Sequence, residues 1–462
     1  MRLLNSTLLP LSMVGAVAPA LAAAPQQGKM NIIMLFVDDL GWADQGYRNP
    51  KFETPNIDAL SKKCLNFERA YVGQPASSPS RASLLTGKEP VRLQLVRHIE
   101  NRDAATGNEW NMWDGDPTLM PSLNYLPLEE RTYGEALREQ GYYNMFVGKW
   151  HLGGEEFWPE HQGFDYSYGV SEFGNVSSYY APFFKFPKGA DSTKATAKKG
   201  EFMTEYLTNK TVELIEGYDK EQPFLLSMSY YNVHTPNKGR VDLVARYKAK
   251  GLSDIDAQYA AQVTVVDESV GQIVAALEKS GQMDNTVIIY FSDQGGYFSN
   301  APLRGRKDIK DTLAEGGIRV PLMIYYPGLT EKGAKCETPV QAIDIFPTMV
   351  EIASGKKCAE KQVNGVSLMP ILKGGDIKKR DLHFFRAYHE QYAALIRGDW
   401  KIIKWIGAEK FQMYNLKYDI GETTDLQNVE PKLFESMKKA LREWEMEAVP
   451  TYEQDYRERY KI

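Results

Sequence analysis

The chain has 462 residues, 43% of them hydrophobic and 12% aromatic, which is enough for one large domain and a smaller second one. Its formal net charge at pH 7 is only -5, so neither a nucleic-acid-binding surface nor a polybasic membrane patch is expected. The three cysteines lack zinc-ligand spacing, and any metal site is therefore expected to use oxygen ligands.

Residues 1–24 are typical of a secretory signal peptide. Arg2 precedes an apolar stretch that ends in small residues suited to cleavage, and no cysteine follows for a lipid anchor. No later apolar run has the length needed to span a bilayer. We expect a periplasmic or secreted protein that is not inserted in the membrane after signal cleavage. In such a protein Cys336 and Cys358 are candidates for a disulfide, and Cys64 for a buried thiol.

Strands and helices alternate through the predicted catalytic domain, residues 25–377. Apolar runs predict strands at 31–37, 142–151, 224–231, 286–292 and 320–327. Helical patterns lie at 131–140, 202–218, 257–280 and 343–353. This alternation predicts an α/β fold with a mostly parallel sheet and helices on both faces. Ligands of such sheets bind outside the carboxyl ends of the strands.

A different pattern begins near residue 378. Short strands are expected at 383–388, 392–397, 400–405 and 411–416, followed by a helix at 432–449. The sequence therefore predicts a small C-terminal α+β subdomain, residues 378–462, in which a terminal helix packs on an antiparallel sheet.

A helix is expected to begin at Ser77-Ser78-Pro79-Ser80-Arg81, with Ser77 as its N-cap and Gly87 at its far end. The unpaired N–H groups and the dipole at a helix N-terminus favour an anion. Ser77 is therefore a candidate nucleophile towards an anionic ester, although a capped surface helix is the simpler explanation of this motif alone.

Polar residues follow four of the five predicted strands. Asp38, Asp39, Asp293 and the amide oxygen of Gln294 form a hard oxygen set that suits Ca²⁺ or Mg²⁺. The alternative is that the Asp38-Asp39 pair only caps the next helix.

A cation and two histidines occupy the other strand ends. Lys149 and His151 are two residues apart, so in an extended segment both side chains point to one side. His234 follows the strand at 224–231. Each histidine is as compatible with a structural role as with proton transfer.

Taken in order, these motifs resemble the formylglycine-dependent sulfatases of the alkaline-phosphatase-like superfamily. The matching blocks are Val37-Asp38-Asp39, Thr54-Pro55-Asn56-Ile57-Asp58, Ser77-x-Pro79-Ser80-Arg81, Gly148-Lys149-Trp150-His151, His234-Thr235-Pro236, Ser292-Asp293-Gln294-Gly295, Leu303-Arg304-Gly305, Glu315-Gly316-Gly317 and Gly398-Asp399-Trp400-Lys401. They cover nearly the whole chain after the signal peptide.

The resemblance implies that Ser77 is oxidised to formylglycine by a serine-type maturase. Its hydrate would offer one hydroxyl to attack sulfur and a second to expel sulfate. Arg81 would hold this group, while Ser77 would join the aspartates and Gln294 around the metal. Lys149 would bind a sulfate oxygen, His151 would act as the base in the second step, and His234 would protonate the leaving alcohol.

This chain departs from the family pattern in two places. Gln294 stands where the family usually has Asn, one methylene shorter. The family's second sulfate-binding lysine corresponds to Lys307 when it is counted forward from Arg304, and to Lys310 when it is counted back from Glu315. The residues around Lys310 resemble the family's segment more closely, which favours Lys310.

The function implied is hydrolysis of a sulfate ester on a carbohydrate. Two alternatives stay open at this point: a phosphoesterase of the same superfamily that uses unmodified Ser77, and a sulfated-glycan-binding protein without catalysis. Five residues lie in regions that could line the sugar pocket, although each also fits an ordinary surface: Arg97, His98, Trp110, Arg386 and His389.

Overall fold

A computed structural model describes residues 28–100, 110–111, 122–185, 194, 197–307, 311–386, 391–405 and 410–460. The predicted signal peptide, residues 1–24, lies outside these ranges. The strands are Asn31–Val37 (β1), Leu65–Tyr71 (β2), Trp110–Asn111 (β3), Ser122–Leu123 (β4), Tyr143–Gly148 (β5), Tyr166–Tyr168 (β6), Phe224–Ser229 (β7), Thr286–Ser292 (β8), Arg319–Tyr325 (β9), Lys335–Cys336 (β10), Val340–Gln341 (β11), Asp381–Phe385 (β12), Gln391–Arg397 (β13), Trp400–Trp405 (β14) and Phe411–Asn415 (β15).

The α-helices alternate with these strands until the C-terminal part of the chain. They are Pro55–Ser61 (α1), Ser77–Thr86 (α2), Tyr133–Glu139 (α3), Met203–Glu216 (α4), Val241–Ala249 (α5), Asp254–Lys279 (α6), Glu315–Ile318 (α7), Ile345–Ser354 (α8), Met369–Leu372 (α9) and Pro431–Tyr460 (α10). All five strands and all four helices predicted for the first domain are present, with bounds shifted by a few residues.

The central sheet has the order β10-β2-β9-β8-β1-β7-β5-β6, with β11 also paired to β2. Its central strands β8, β1, β7 and β5 are parallel, whereas β9 runs antiparallel to both β8 and β2. The α/β prediction is confirmed. The strand predicted at 320–327, however, brings its amino end rather than its carboxyl end to the edge where β1 and β8 finish.

Helices cover both faces of this sheet because side chains alternate along each strand. In β1, Ile32, Met34 and Phe36 join the core on one face. Ile33 and Leu35 join the core on the other face, which α4 and α6 help to form. The strand is buried at every position, which explains why its sequence is continuously apolar.

The helix α2 begins at Ser77 itself, one residue earlier than an N-cap role for Ser77 would place it. Ala76 is the N-cap, in an extended conformation with φ -155°, and it makes no side-chain capping bond. The N-cap prediction for Ser77 is therefore wrong, since its hydroxyl has other partners. Gly87 ends the helix with a left-handed φ of 69°, as predicted.

The C-terminal subdomain contains the antiparallel sheet β12-β13-β14-β15 with α10 against it. One face of the sheet packs with α10 through a separate apolar cluster that includes Leu395, Ile402 and Trp444. The other face contributes Ile396 and Ile403 to the core of the central sheet. The two parts of the chain therefore share a packed interface.

Two further observations bear on the sequence predictions. All three cysteines are free thiols, so Cys336 and Cys358 are not bonded to each other. Within the ranges given above, no helix has the combined length and hydropathy of a membrane span.

Candidate active site

The strand register assembles the site at one edge of the central sheet. Val37 in β1 pairs with Ser292 in β8, which places Asp38 beside Asp293. Gly148 in β5 pairs with Ser229 in β7, so Lys149 leaves the sheet at the same edge. Carboxylates and a cation from three separate stretches of sequence meet there because the strands are parallel and end together.

Arg81 lies at the centre of this cluster. Its Nε donates to Ser77 Oγ at 3.0 Å, which is possible because residues four apart share one helix face. Its Nη2 lies 3.0 Å from Asp293 Oδ2 and 3.3 Å from Asp38 Oδ1. Its Nη1 donates to Ser229 Oγ at 2.7 Å. The side chain is 3% exposed, so its orientation is fixed by buried partners.

Three carboxylates form the acidic part of the site. Oxygens of Asp38, Asp39 and Asp293 lie within 4.8 Å of one another, and all three side chains are fully buried. Burial raises the pKa of Asp39 to about 6 and that of Asp293 to about 7, with their carboxylate neighbours adding to the effect. Close buried carboxylates of this kind are stable as anions only when cations surround them.

The oxygen atoms of this cluster fit a hard divalent cation. Asp38 Oδ1 and Gln294 Oε1 are buried, and neither has a hydrogen-bond partner among the described residues. Gln294 Nε2 donates to Asp39 Oδ1 at 2.7 Å, which holds the amide against the cluster. Three carboxylates and an amide oxygen are donors that Ca²⁺ and Mg²⁺ prefer.

Two lysines face the carboxylates. Lys149 Nζ lies 2.5 Å from Asp38 Oδ2, with both side chains inaccessible to solvent. Lys307 Nζ donates to both oxygens of Asp39, at 2.7 and 2.8 Å. Lys310, which the sequence favours over Lys307, lies outside the described residues. With Arg81, these lysines place three cations opposite three carboxylates.

His151 is oriented as a base towards Ser77. Its Nε2 lies 2.9 Å from the carbonyl oxygen of Ile99, which can only accept, so this nitrogen carries the proton. Its Nδ1, 3.1 Å from Ser77 Oγ, is then free to accept one. Burial, reinforced by the charge of Lys149, lowers the pKa of His151 well below its usual value and keeps the ring neutral.

The backbone at two of these residues differs from the extended geometry that the sequence suggests. His151 has φ 56° and Asp39 has φ 62°, both in the left-handed region that non-glycine residues rarely adopt. Lys149 and His151 therefore reach the site from an irregular segment after β5 rather than from a strand. Such strained positions concentrate at functional sites.

His234 borders the same carboxylates. Its Nε2 lies 3.7 Å from Asp39 Oδ2, and its Nδ1 lies 2.9 Å from the carbonyl oxygen of Thr235. The Thr235 carbonyl selects the tautomer with a proton on Nδ1, which turns Nε2 towards the cluster. The His234 side chain is 18% exposed, whereas Asp39 is inaccessible to solvent, so His234 lies on the solvent side of the carboxylates.

The residues proposed for the sugar pocket occupy varied positions. Arg97 is buried and His98 exposed, in the segment that leads to Ile99 beside His151. Arg386 is fully buried, and its Nη1 donates to the carbonyl of Pro75, two residues before Ser77. His389 and the side chain of Trp110 lie outside the described residues.

Two residues beside the candidate catalytic groups escaped the sequence analysis. Ser229 Oγ links Arg81 to the carbonyl of Lys149, to which it donates at 2.8 Å. A polar residue at the carboxyl end of an apolar strand is the signal that could have identified it. Gly174 lies against the ring of His151, since a Cβ at this position would be 2.3 Å from His151 Cε1. Nothing in the local sequence indicates that approach.

Residues 30–355 match the protein family described as Sulfatase. Residues 308–447 match the C-terminal region of N-sulphoglucosamine sulphohydrolase. The first match covers both the central sheet and the cluster around Ser77, and the second covers the antiparallel sheet.

Individual proteins are similar over most of the chain. The N-acetylgalactosamine-6-sulfatase of Rattus norvegicus is 30% identical, with 89% of this chain and 78% of that protein covered. A sulfatase of Formosa agariphila is 29% identical, with 90% of this chain and 88% of that protein covered. The crystal structure of Ps i-CgsB in complex with k-i-k-neocarrahexaose is 28% identical, has a TM-score of 0.76, and covers 90% of this chain and 93% of that one.

Proposed function

We propose that this chain, which belongs to the sulfatase family and is a sulfuric ester hydrolase, acts on a sulfated carbohydrate through a formylglycine formed from Ser77. The observation that carries the proposal is the position of Ser77 Oγ, 3.0 Å from Arg81 Nε and 3.1 Å from His151 Nδ1. A residue held between a cation and a neutral base is suited to nucleophilic attack. Two similar proteins support the substrate class, one named as an N-acetylgalactosamine-6-sulfatase and one crystallised with k-i-k-neocarrahexaose.

Asp38, Asp39, Asp293 and Gln294 would hold a divalent cation, with Ca²⁺ favoured over Mg²⁺ because the donors form a flexible oxygen cage. When bound, that cation would neutralise sulfate oxygens and polarise the nucleophile. The three carboxylates and the three cations of the site cancel in charge. A divalent cation therefore leaves the site positive, which favours an anionic ester.

Arg81 would orient the nucleophile and keep the carboxylates in place, since it contacts Ser77 and two of the three aspartates. His151 would accept a proton at Nδ1, the atom that faces Ser77 Oγ. His234, when protonated at Nε2 as well as Nδ1, would donate the Nε2 proton to the leaving alcohol, and its partial exposure suits contact with a sugar. Proton transfer of this kind contributes about 10²–10⁴ in rate.

Lys149 and Lys307 would bind sulfate oxygens. Lys307 takes the role for which Lys310 is the alternative, because its ammonium group lies against Asp39. Charge spread over sulfate oxygens is stabilised most by cations fixed in a site from which water is excluded. We also propose export to the periplasm or beyond, and maturation of Ser77 by a serine-type formylglycine-generating enzyme.

The test is sulfate release from a panel of sulfated galactosamine sugars and carrageenan oligosaccharides, with protein co-expressed with the maturase. We expect release that Ser77→Ala abolishes and that Ser80→Ala, a change in the same helix, does not. Retained turnover in Ser77→Ala would refute the nucleophile. Phosphatase activity greater than sulfatase activity in unmodified protein would favour a phosphoesterase.

A further inference from the structure

A short piece of backbone supports both Lys307 and Gln294. The support segment, defined here as Arg304–Lys307 together with Glu315–Gly317, is held by a bond of 2.7 Å from Gly316 N to the carbonyl of Arg304. Gly295 N, next to Gln294, donates to Gly317 O at 3.0 Å. A displacement of this segment would therefore move the Lys307 ammonium and the Gln294 amide together.

Buried charged side chains of the C-terminal subdomain contact the support segment. Lys401 Nζ, from β14, lies 3.0 Å from Glu315 Oε1 and 2.9 Å from Glu422 Oε1, and all three side chains are inaccessible to solvent. Glu422 Oε2 accepts from Glu315 N at 2.8 Å and lies 3.5 Å from Arg304 Nε. Both halves of the support segment are thus attached to one charged cluster.

Lys401 is the charge that holds two acids together. Burial alone would raise the pKa of Glu315, but the positive charges of Lys401 and Arg319 have the larger combined effect and lower it. Burial raises the pKa of Glu422, against the attraction of Lys401. Removal of one partner from a buried ion cluster leaves uncompensated charge, so the remaining groups must move apart or change protonation. A movement of these groups displaces Glu315, which begins α7 and whose backbone N–H is bonded to Glu422.

We propose that Lys401 is a positioning residue for sulfate binding, acting through Glu315 and Glu422 on the support segment and hence on Lys307. It touches no reacting group in the described structure. The C-terminal subdomain would thereby complete the anion site of the catalytic domain rather than only cover its edge. This inference rests on the proposed role of Lys307 as a sulfate ligand.

The experiment measures the affinity of the full chain for inorganic sulfate by calorimetry, in the presence of Ca²⁺. Lys401→Met removes the charge and keeps the length of the side chain. We expect the dissociation constant to rise about tenfold, the effect of losing an outer partner of a bound group. In a Lys307→Met background the same substitution should change it less than about twofold, because coupled residues are not additive.

Lys404→Met is the matched control. Lys404 lies on the same strand and pairs with both oxygens of Glu445 at 2.9 Å. We expect no change in sulfate affinity from this variant, whatever its effect on thermal unfolding. If Lys401→Met does not fold, Lys401→Met with Glu422→Gln removes one acid along with the ammonium and is tested in its place.

The outcomes distinguish the proposed role of Lys307 as a sulfate ligand from the proposed positioning role of Lys401. If Lys307→Met binds sulfate as the wild type does, the proposed role of Lys307 is wrong, and this inference fails with it. If Lys307→Met weakens binding but Lys401→Met does not, or weakens it equally in both backgrounds, the positioning role alone is overturned.

Discussion

Gly174 offers a way to displace His151 without touching its chemistry. A Cβ at Gly174 would lie 2.3, 2.4 and 2.8 Å from Cε1, Nε2 and Nδ1 of the His151 ring. Non-bonded carbons are comfortable at about 3.5–4.0 Å, so Gly174→Ala requires the ring or the glycine backbone to move by about 1 Å. The ring is 5% exposed and has little room to adapt.

The magnitude follows from the two hydrogen bonds of the ring. They measure 3.1 Å to Ser77 Oγ and 2.9 Å to Ile99 O, and a movement of about 1 Å takes either beyond bonding distance. Misplacement of a reacting group by that amount costs about 10²-fold in rate. We expect kcat to fall by about that factor while KM changes little, because the proposed sulfate-binding lysines are untouched.

The assay is steady-state sulfate release by Gly174→Ala beside thermal unfolding of the same protein. Gly28→Ala is the control, because a Cβ there meets no described atom within 4 Å. Overpacking alone costs about 1–3 kcal/mol of stability, which the unfolding measurement detects separately. Wild-type kcat in a folded Gly174→Ala protein would refute the role assigned to the His151 orientation.

Three further predictions concern stability and metal binding. Arg81→Met should lower the free energy of unfolding by about 3–5 kcal/mol, because Asp38 and Asp293 lose a buried cation; an unchanged urea midpoint would contradict this. Burial raises the pKa of Asp267 from 3.8 to about 6. As the pH rises, the unfolded chain loses this proton before the folded chain does, so the free energy of unfolding should fall by up to about 3 kcal/mol between pH 4 and 7. The Asp267→Asn protein should not show this loss of stability. If both proteins lose the same free energy of unfolding between pH 4 and 7, Asp267 is not the group responsible. Chelation should abolish sulfate release and lower the melting temperature, with both restored by Ca²⁺, whereas full activity in chelator would count against the metal site.

The acidic cluster could be predicted from sequence because its geometry follows from a simple rule. Asp38, Asp39 and Asp293 come directly after continuously apolar runs, and parallel strands finish at one edge of a sheet. The α/β class was predictable for the same reason, since buried parallel strands must be apolar at every position.

Other features depend on contacts that local sequence does not encode. Serine is a residue type typical of an N-cap, but the Ser77 hydroxyl bonds to Arg81 and His151, and Ser77 is already the first residue of the helix. The direction of β9 is likewise set by its antiparallel neighbours, not by its apolar run. Only the assembled fold decides between such competing partners.

Lys401 illustrates the limit for buried charges. It stands between Trp400 and Ile402 in a short strand, and nothing in its local sequence indicates that it is buried with acidic partners. In the structure it is fully buried, and its partner Glu315 is 86 residues away in sequence. A buried ion cluster has no periodic signature, because each member is compensated by residues from elsewhere in the chain.

The measurement that tests the central claim most directly is the mass of the tryptic peptide Ala70–Arg81, from protein made with a serine-type maturase and assayed in parallel for sulfate release. The account predicts a peptide that lacks two hydrogens at Ser77, in a fraction that matches the fraction of active enzyme. Full sulfate release from protein with only unmodified serine at this position would contradict it.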